Sequence, residues 1–399
     1  MNQVFAGAFA IPCAGAARYL LDEAGWRAMA ATPALRFVAM WADESAVVAL
    51  LRDPAGALAM ATVAVEQGFF PGLSPWWPEA VVFERMIRDL WGYNAVGGTD
   101  GRPLFDYGHW RLAHPLGRPT PPFAAPEPAI SGFAHKGTLA LMRGKTARVA
   151  ARFAARVDGR ATVAHAIAYA NAVEAASRTP APARAERLRD IMRRLEIAGG
   201  ALDRVGRIAE AAGAPVLHAR ADVLREAVAR AAGAAFGHRL MMDCVVPGGV
   251  VVDVSADGAG ILDGLRRSVR ESALSALVAD SLGGRLRDLP LVAARLAACV
   301  ADLESFVQEL GARLEALPQG AVMQASLVMA GEGIGMAEGP AGGILHWLRL
   351  EGGQIGGAFI LDPAWVTTEA CDAEAAAVAP EDRAIVRASH GVLPSGMDL

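Results

Sequence analysis

The chain has 399 residues and a formal net charge of −4, and 53% of its residues are hydrophobic. This length allows two or three domains, and the charge gives no sign of a nucleic-acid partner. The mean hydropathy of +0.29 owes much to alanine and glycine. No run of about 18 residues is both strongly apolar and uncharged, so no transmembrane helix is expected.

The cysteines and the N-terminus predict a compartment. Four cysteines lie far apart with no CxxC pair, which is typical of buried thiols in a reducing compartment and not of metal ligands. The first residues are mildly apolar but lack a basic region, so no signal peptide is expected. Together these features predict a soluble cytoplasmic protein.

Residues 1–115 are predicted to form a small α/β module. Two apolar runs of strand length, 36–41 and 57–65, are separated by what we predict to be a short helical segment and a turn. Pro78 then opens an amphipathic helix that ends at Gly92. Residues 116–130 are predicted to be a proline-rich linker, because proline disfavours both helix and central strand.

Residues 131–399 are predicted to be mainly helical. Long helices are expected from near Arg156, from Ala183, over 219–235, and from Asp288 as N-cap to Pro318. The pair Gly199-Gly200 interrupts the second helix, which predicts a close approach to its backbone or a bend.

The last third of the chain is predicted to contain a small sheet. Short β-type runs between 322 and 360 indicate an antiparallel sheet with a turn at Glu351-Gly352-Gly353. The motifs DGAG and GEGIG lack the context of a dinucleotide-binding fold and are interpreted as turns. The predicted fold class is therefore α+β: a small N-terminal α/β domain, a bundle of long helices and a small C-terminal β region.

One polar stripe supplies the candidate site residues. Asp158, Thr162, His165 and Tyr169 fall at i, i+4, i+7 and i+11 of the helix predicted from near Arg156, so they share one face. Asp158 and His165, together with His135, are the candidate catalytic residues. Each candidate also has a purely structural explanation. His165 could be an interior histidine with satisfied hydrogen bonds, Asp158 a residue favoured by the helix dipole, and His135 a residue that orients a loop.

Other polar residues suggest structure and not chemistry. Arg143 and Glu174 are interpreted as a structural ion pair. The remaining histidines are scattered and show no metal-ligand spacing.

Two sets of motifs carry a family resemblance. The pattern ER-x-x-x-D-x-x-G, with Glu84, Arg85, Asp89 and Gly92, resembles the 30 kDa subunit of respiratory complex I. The series HKG, RGKT, RVDG, AHAIAYANAVE and GHR…PGGV resembles the large subunit of membrane-bound, energy-converting NiFe hydrogenases and the 49 kDa subunit of complex I. This resemblance implies a large-subunit fold over residues 131–399.

The chain departs from this family where the metal would bind. Soft thiolates in two CxxC pairs hold nickel and iron there, and the resemblance places those positions at Asp158, Ala161, Leu393 and Gly396. None is a cysteine. Further family positions are changed as well: Leu139, Gly200, Ala201 and Ala341 on the hydrogenase side, and Gly159 in place of the quinone-binding tyrosine of complex I. We therefore expect no nickel, no metal ligands and no cofactor.

The resemblance implies a function and partners. The leading hypothesis is a nickel-free large-subunit homologue in a membrane-associated electron-transfer assembly related to complex I, with an iron–sulfur small subunit and membrane-arm subunits as partners. Such a protein would be cytoplasmic and held at the inner face of the membrane through those partners. Whether it is an enzyme stays open: the alternatives are a structural or assembly subunit without redox chemistry and a residual quinone-binding oxidoreductase subunit. We also expect the C-terminal tail, with Leu393 and Pro394, to fill the emptied site.

Overall fold

The N-terminal part of the chain forms a five-stranded mixed sheet in the order β1-β2-β5-β4-β3. The computed structural model describes residues 4–118, 136–325 and 330–397. The elements of this part are β1 Phe9–Ile11, β2 Ala17–Leu21, α1 Glu23–Ala30, β3 Arg36–Asp43, β4 Ala46–Arg52, β5 Leu58–Ala64, β6 Phe69–Pro71, α2 Ala80–Trp91 and β7 Asn94–Val96.

The expectation of strands at 36–41 and 57–65 is confirmed, but the short helix expected between them is wrong. That segment is β4, which pairs antiparallel with both β3 and β5. Its β-branched Val47 and Val48 suit a strand, and Glu44, with a φ of 33°, makes the tight turn from β3. The strand is almost entirely buried, so it lacks the alternation that would have revealed it.

Helix α2 organises the loop that follows it. The Glu84 carboxylate accepts the backbone N–H groups of Leu73 and Ser74, at 2.6 and 2.9 Å. One oxygen of Asp89 accepts the consecutive N–H groups of residues 104, 105 and 106. Gly92 ends the helix with a φ of 77°. The acidic residues and the glycine of the ER-x-x-x-D-x-x-G motif therefore hold backbone in place, which is a structural role.

The centre of the molecule is an alanine-rich helix pressed against a glycine-rich strand. The elements here are α3 Thr138–Met142, α4 Ala147–Ala154, α5 Thr162–Ser177, β10 Ala330–Gly339, β11 Gly342–Glu351 and β12 Gln354–Leu361. A Cβ on Gly333 or Gly335 would lie 2.2 or 2.1 Å from the carbonyl oxygen of Ala172 or Ala168 of α5. The interpretation of GEGIG as a turn is therefore wrong: it forms part of β10, and its glycines let strand and helix backbones approach closely.

The predicted C-terminal sheet is confirmed as the antiparallel sheet β10-β11-β12, with the turn at Gly352-Gly353 between β11 and β12. The helical bundle consists of α6 Ala183–Ala211, α7 Pro215–Phe236, α8 Ala256–Ser272, α9 Leu274–Leu282, α10 Pro290–Glu315, α11 Ala364–Ala377 and α12 Arg383–His390, with the short hairpin β8 Val245–Val246 and β9 Gly249–Val250.

Two details of the bundle differ from expectation. DGAG is not a turn, because it forms the first turn of α8 behind the N-cap Ser255. Asp288 is not an N-cap, because it ends a 3-10 turn and α10 begins at Pro290. The Gly199-Gly200 pair lies inside a continuous α6, and a Cβ on Gly200 would lie 2.5 Å from Pro340, so the expected close approach is confirmed.

A buried ion pair ties the hairpin β8–β9 to the helices. Glu174 binds Arg189, with 2.6 Å between the carboxylate and the guanidinium, and also accepts the N–H of Gly248. Arg143, the expected partner of Glu174, instead lies over the ring of Trp91 and donates to the carbonyl of Leu116. That expectation is wrong, and Arg189, in the second turn of α6, supplies the charge.

The described residues form two large hydrophobic cores and one small cluster between α5 and β11. The first joins the N-terminal sheet to the C-terminal sheet: Trp41 stacks on Phe359 with 4.6 Å between ring centroids, and Phe83 stacks on Trp365 at 5.7 Å. The second fills the helical bundle. Helix α5 contributes to both cores, and the α+β fold class is confirmed.

Candidate functional site

A fully buried polar network lies between α5 and the C-terminal sheet. His165 is on α5, His346 is on β11, and neither has any exposed surface. The Nδ1 atom of His165 lies 3.0 Å from Nε2 of His346, and its Nε2 atom lies 3.1 Å from Oδ2 of Asp362, directly after β12.

The direction of these hydrogen bonds follows from the acceptor at one end. A carboxylate only accepts, so His165 donates its Nε2–H to Asp362 and must accept at Nδ1 from the Nε2–H of His346. Burial, and secondly the neighbouring His165, lower the pKa of His346 well below its usual range, which keeps that ring neutral. Nδ1 of His346 has no hydrogen-bond partner in the described part of the chain. His165 is thus a satisfied interior histidine.

Asp158 lies just outside the helix on which it was predicted. Helix α5 begins at Thr162 and not near Arg156, because a turn over residues 158–161 precedes it. Asp158 is buried and accepts the backbone N–H of Arg160 at 2.9 Å, as aspartates commonly do in turns. Burial raises its pKa, and the charge of Asp362 adds to that effect. The structure therefore brings Asp158 near the network of His165 without a hydrogen bond between them.

Glu196 of α6 caps the start of α5. Its carboxyl oxygens accept the N–H groups of Val163 and Ala164, at 2.6 and 2.9 Å. Enclosure of the carboxyl group by protein raises its pKa to about 8, although the two N–H donors act in the opposite direction. Sequence reasoning missed this residue, because a helix cap supplied from another helix leaves no local pattern.

The C-terminal tail covers the network. Lys136 donates to the carbonyl of Val157 at 2.7 Å and to that of Ser395 at 2.6 Å, so it ties the tail to the turn before α5. Gly396 packs against Asp362 so closely that a Cβ there would lie 2.2 Å from Oδ1. The expectation that the tail fills the site holds, but the expected residues are wrong: Gly396 and Met397 are buried, whereas Leu393 is half-buried and Pro394 is exposed.

Other polar residues near the network make separate hydrogen bonds. His390, before the tail, binds Glu374 at 2.9 Å. Tyr169 donates to the carbonyl of Ala147, and its ring packs edge-on against His346 with 6.0 Å between ring centroids. Thr162 is buried, and its hydroxyl has no partner within the described residues. His135 lies outside the described residues.

His346 and Asp362 are functional candidates that the sequence did not suggest. His346 was one of several scattered histidines, and Asp362 sits in an ordinary strand end. The one available signal was the apolar run around His346, since a histidine inside a fully buried strand requires a partner.

A cavity of about 180 Å³ borders the turn over residues 158–161. Gly159 and Arg160 form one wall, and mostly apolar residues of α6 and α7 form the others. Arg160 holds Asp203 at 3.4 Å near this wall. The cavity is smaller than the roughly 300 Å³ at which ligand pockets usually begin, but its lining, apolar with a few polar groups, is typical of them.

The residues at the implied metal positions do not fit a nickel–iron centre. Aspartate, alanine, leucine and glycine provide no thiolate, and soft thiolates are what such a centre needs. Asp362 moreover occupies the space next to Gly396. Among the residues described here, no group of three or more potential ligands could hold a metal ion.

Comparison with known proteins identifies the fold. Neither a protein-family model nor a curated protein matches the chain. A chain of the membrane-bound sulfane sulfur reductase, an archaeal respiratory membrane complex, superposes with a TM-score of 0.58 at 15% identity, over 67% of this chain and 89% of that chain. The Ni-Fe-Se hydrogenase from D. vulgaris Hildenborough superposes with a TM-score of 0.57 at 10% identity, over 67% of this chain and 93% of that chain. The chain thus has a fold like that of NiFe hydrogenase large subunits, as the resemblance implied.

Proposed function

We propose that this chain, with its hydrogenase large-subunit-like fold, is a nickel-free homologue that serves as a subunit of a membrane-associated electron-transfer assembly. The observation that carries the proposal is the exchange of all four thiolate positions for Asp158, Ala161, Leu393 and Gly396, within a fold that is otherwise retained. The scaffold would thus keep its place between partners after losing its metal chemistry.

The membrane-associated context is supported by one structural neighbour, which belongs to a respiratory membrane complex. No helix in the described ranges is both long and apolar enough to cross a bilayer. In the proposed assembly, an iron–sulfur small subunit and membrane-arm subunits hold the chain at the inner face of the cytoplasmic membrane. The N-terminal module, with its complex I-like helix α2, would be part of the same scaffold.

Metal analysis of the purified protein tests the loss of the centre. We expect far less than one nickel per chain, because oxygen and aliphatic side chains replace every soft ligand. The protein should be produced in cells supplied with nickel, beside a nickel hydrogenase as positive control. About one nickel per chain would overturn the proposal.

A purely structural role is the first alternative. It is supported by the buried network of His165, His346 and Asp362, whose hydrogen bonds are internal, and by the tail that covers it. Reconstitution with the iron–sulfur subunit separates the two roles. If electron transfer requires this chain, the chain has a redox role. If the complex assembles with the chain but electron transfer does not depend on it, the role is structural.

Residual quinone binding is the second alternative, and the cavity beside Gly159 supports it. A soluble short-chain quinone analogue is a suitable probe. Binding that is lost in Ala229→Phe, which fills the cavity, but kept in Val223→Phe on the exposed face of the same helix, would favour this alternative. No binding to the unaltered chain would remove it.

A further inference from the structure

One stretch of the chain has an unusual charge. Residues 136–157 contain six lysines and arginines and no acidic residue, although the whole chain carries a net charge of −4. Such a local excess of one sign on a protein of the opposite sign indicates a surface for an oppositely charged partner.

Three of the six cations have local partners. Lys136 donates to the carbonyls of Val157 and Ser395. Arg143 donates to the carbonyl of Leu116 and covers Trp91. Arg156 binds Asp243 with both terminal nitrogens, at 2.9 and 2.8 Å.

The other three, Lys145, Arg148 and Arg152, are exposed and form no ion pair within the described ranges. Asp243 is the acidic residue close to Arg152, and Arg156 already holds it. These three charges are therefore available to a partner.

Helix α4 and the turn before it carry these cations. The helix buries alanines 147, 150, 151 and 154 against the first core. Arg148 and Arg152 are four residues apart on α4 and project from the opposite face, and Lys145 lies two residues before the helix begins. Val149 of the same helix is 46% exposed, and Leu141 of the preceding helix is 49% exposed.

We propose that this face, formed by Lys145, Arg148, Val149 and Arg152 with Leu141, lies against the anionic headgroups of a lipid bilayer. Basic residues near a charged membrane surface each contribute about 1 kcal/mol of attraction, and exposed aliphatic side chains can enter the interface between them. The Thr146 hydroxyl between Lys145 and Arg148 already accepts the N–H of Val149. Residues 141–152 contain no aromatic side chain of the kind that anchors the centre of many protein interfaces. Charge complementarity with a lipid surface requires none.

This contact goes beyond the proposed assembly, because the chain itself touches lipid and does not depend on a partner subunit. The metal content of the protein is unaffected either way, so failure of this inference and failure of the proposed function are distinguishable.

Vesicle binding of the full chain is the test. The vesicles are phosphatidylcholine alone or an equal mixture of phosphatidylcholine and phosphatidylglycerol. We expect binding to the mixed vesicles only, weakened by added salt. The triple variant K145Q/R148Q/R152Q should bind them roughly 100-fold more weakly, since three contributions of about 1 kcal/mol correspond to that factor.

The matched control is R220Q/R267Q/R287Q, which removes the same charge from exposed positions on other elements. It should keep most of the binding, and both variants should melt like the unaltered protein because the changed side chains are exposed. Equal losses in the two variants would mean that only net charge matters and would overturn the proposal. So would an absence of any preference for phosphatidylglycerol, or unchanged vesicle binding in K145Q/R148Q/R152Q.

Discussion

At the scale of single residues, the acidic groups around α5 are each held by different donors. Asp362 accepts from a histidine and from the N–H of Ala364, whereas Glu196 accepts two N–H groups at the start of the helix. Partial positive charge at a helix N-terminus favours a carboxylate, yet enclosure by the protein outweighs it at Glu196 and raises the pKa to about 8. Glu196 therefore titrates near neutral pH in the folded protein.

This pKa predicts a pH-dependent stability. An unfolded glutamate has a pKa near about 4.3, so the folded state binds the extra proton between that value and about 8. Stability is then highest below the unfolded pKa and falls as the pH rises through the folded one. We expect the unaltered protein to lose roughly 1 kcal/mol per pH unit relative to Glu196→Gln between pH 6 and pH 8.

Urea unfolding of both proteins across that pH range measures this difference. Glu210→Gln, which changes an exposed glutamate on the same helix, is the control and should follow the unaltered protein. Parallel stability curves for the unaltered protein and Glu196→Gln would contradict the assigned titration.

At the scale of elements, the sequence predicts those helices and strands that have regularly spaced apolar residues or clear boundary residues. Helix α2, between Pro78 and Gly92, and the long helices α6, α7 and α10 show apolar side chains at helical spacing. Strand β4 does not, because it is buried on nearly all sides and its pattern has no polar face. Helix α5 is also almost entirely buried, and only its alanine content and its polar stripe indicated it. The start of α5 was misplaced because its cap comes from Glu196, far along the chain.

The contact of α5 with β10 was beyond sequence reasoning for a related reason. Glycines in a short motif suggest turns, and only the position of the alanine-rich helix explains them as a site of close approach. The same holds for the candidate site: His165 and Asp158 could be proposed from one segment, whereas His346 and Asp362 join them through tertiary contacts alone.

Gly335→Ala tests the close approach. The new Cβ would lie 2.1 Å from the carbonyl oxygen of Ala168 and 2.3 Å from the nitrogen of Ala172, and both are backbone atoms that cannot rotate away. We expect a loss of roughly 3 kcal/mol or more in the free energy of unfolding, seen as a lower urea midpoint. Gly343→Ala in β11, where the nearest atom is a side-chain oxygen at 3.7 Å, should change stability little. Similar midpoints for the two variants would show that the contact is loose.

At the scale of the whole molecule, the two ends of the chain share one core. Residues of the N-terminal module pack against the C-terminal sheet and α11, through Trp41 with Phe359 and Phe83 with Trp365. The proposed division at residues 115 and 131 thus rests on family resemblance. The first hydrophobic core contains residues from both sides of that division.

A fragment of residues 1–118 should therefore not fold on its own. Without Phe359 and Trp365, the aromatic rings of β3 and α2 would face water, and the exposed apolar area would favour a loosely packed or aggregated state. Near-ultraviolet circular dichroism and dye binding compare the fragment with the full chain, which serves as the folded reference. A cooperative thermal transition and a dispersed amide spectrum from the fragment would contradict this expectation.

The close contact of Gly396 with Asp362 also bears on how this chain could change over evolutionary time. A cysteine at position 396 would place its Cβ 2.2 Å from the Asp362 carboxylate, and Asp362 is fixed in turn by His165 and by the N–H of Ala364. A substitution at this one position thus collides with a neighbour that is part of the core. A thiolate site here would need several coordinated substitutions, each of which is costly alone, so no sequence of single tolerated changes leads to one.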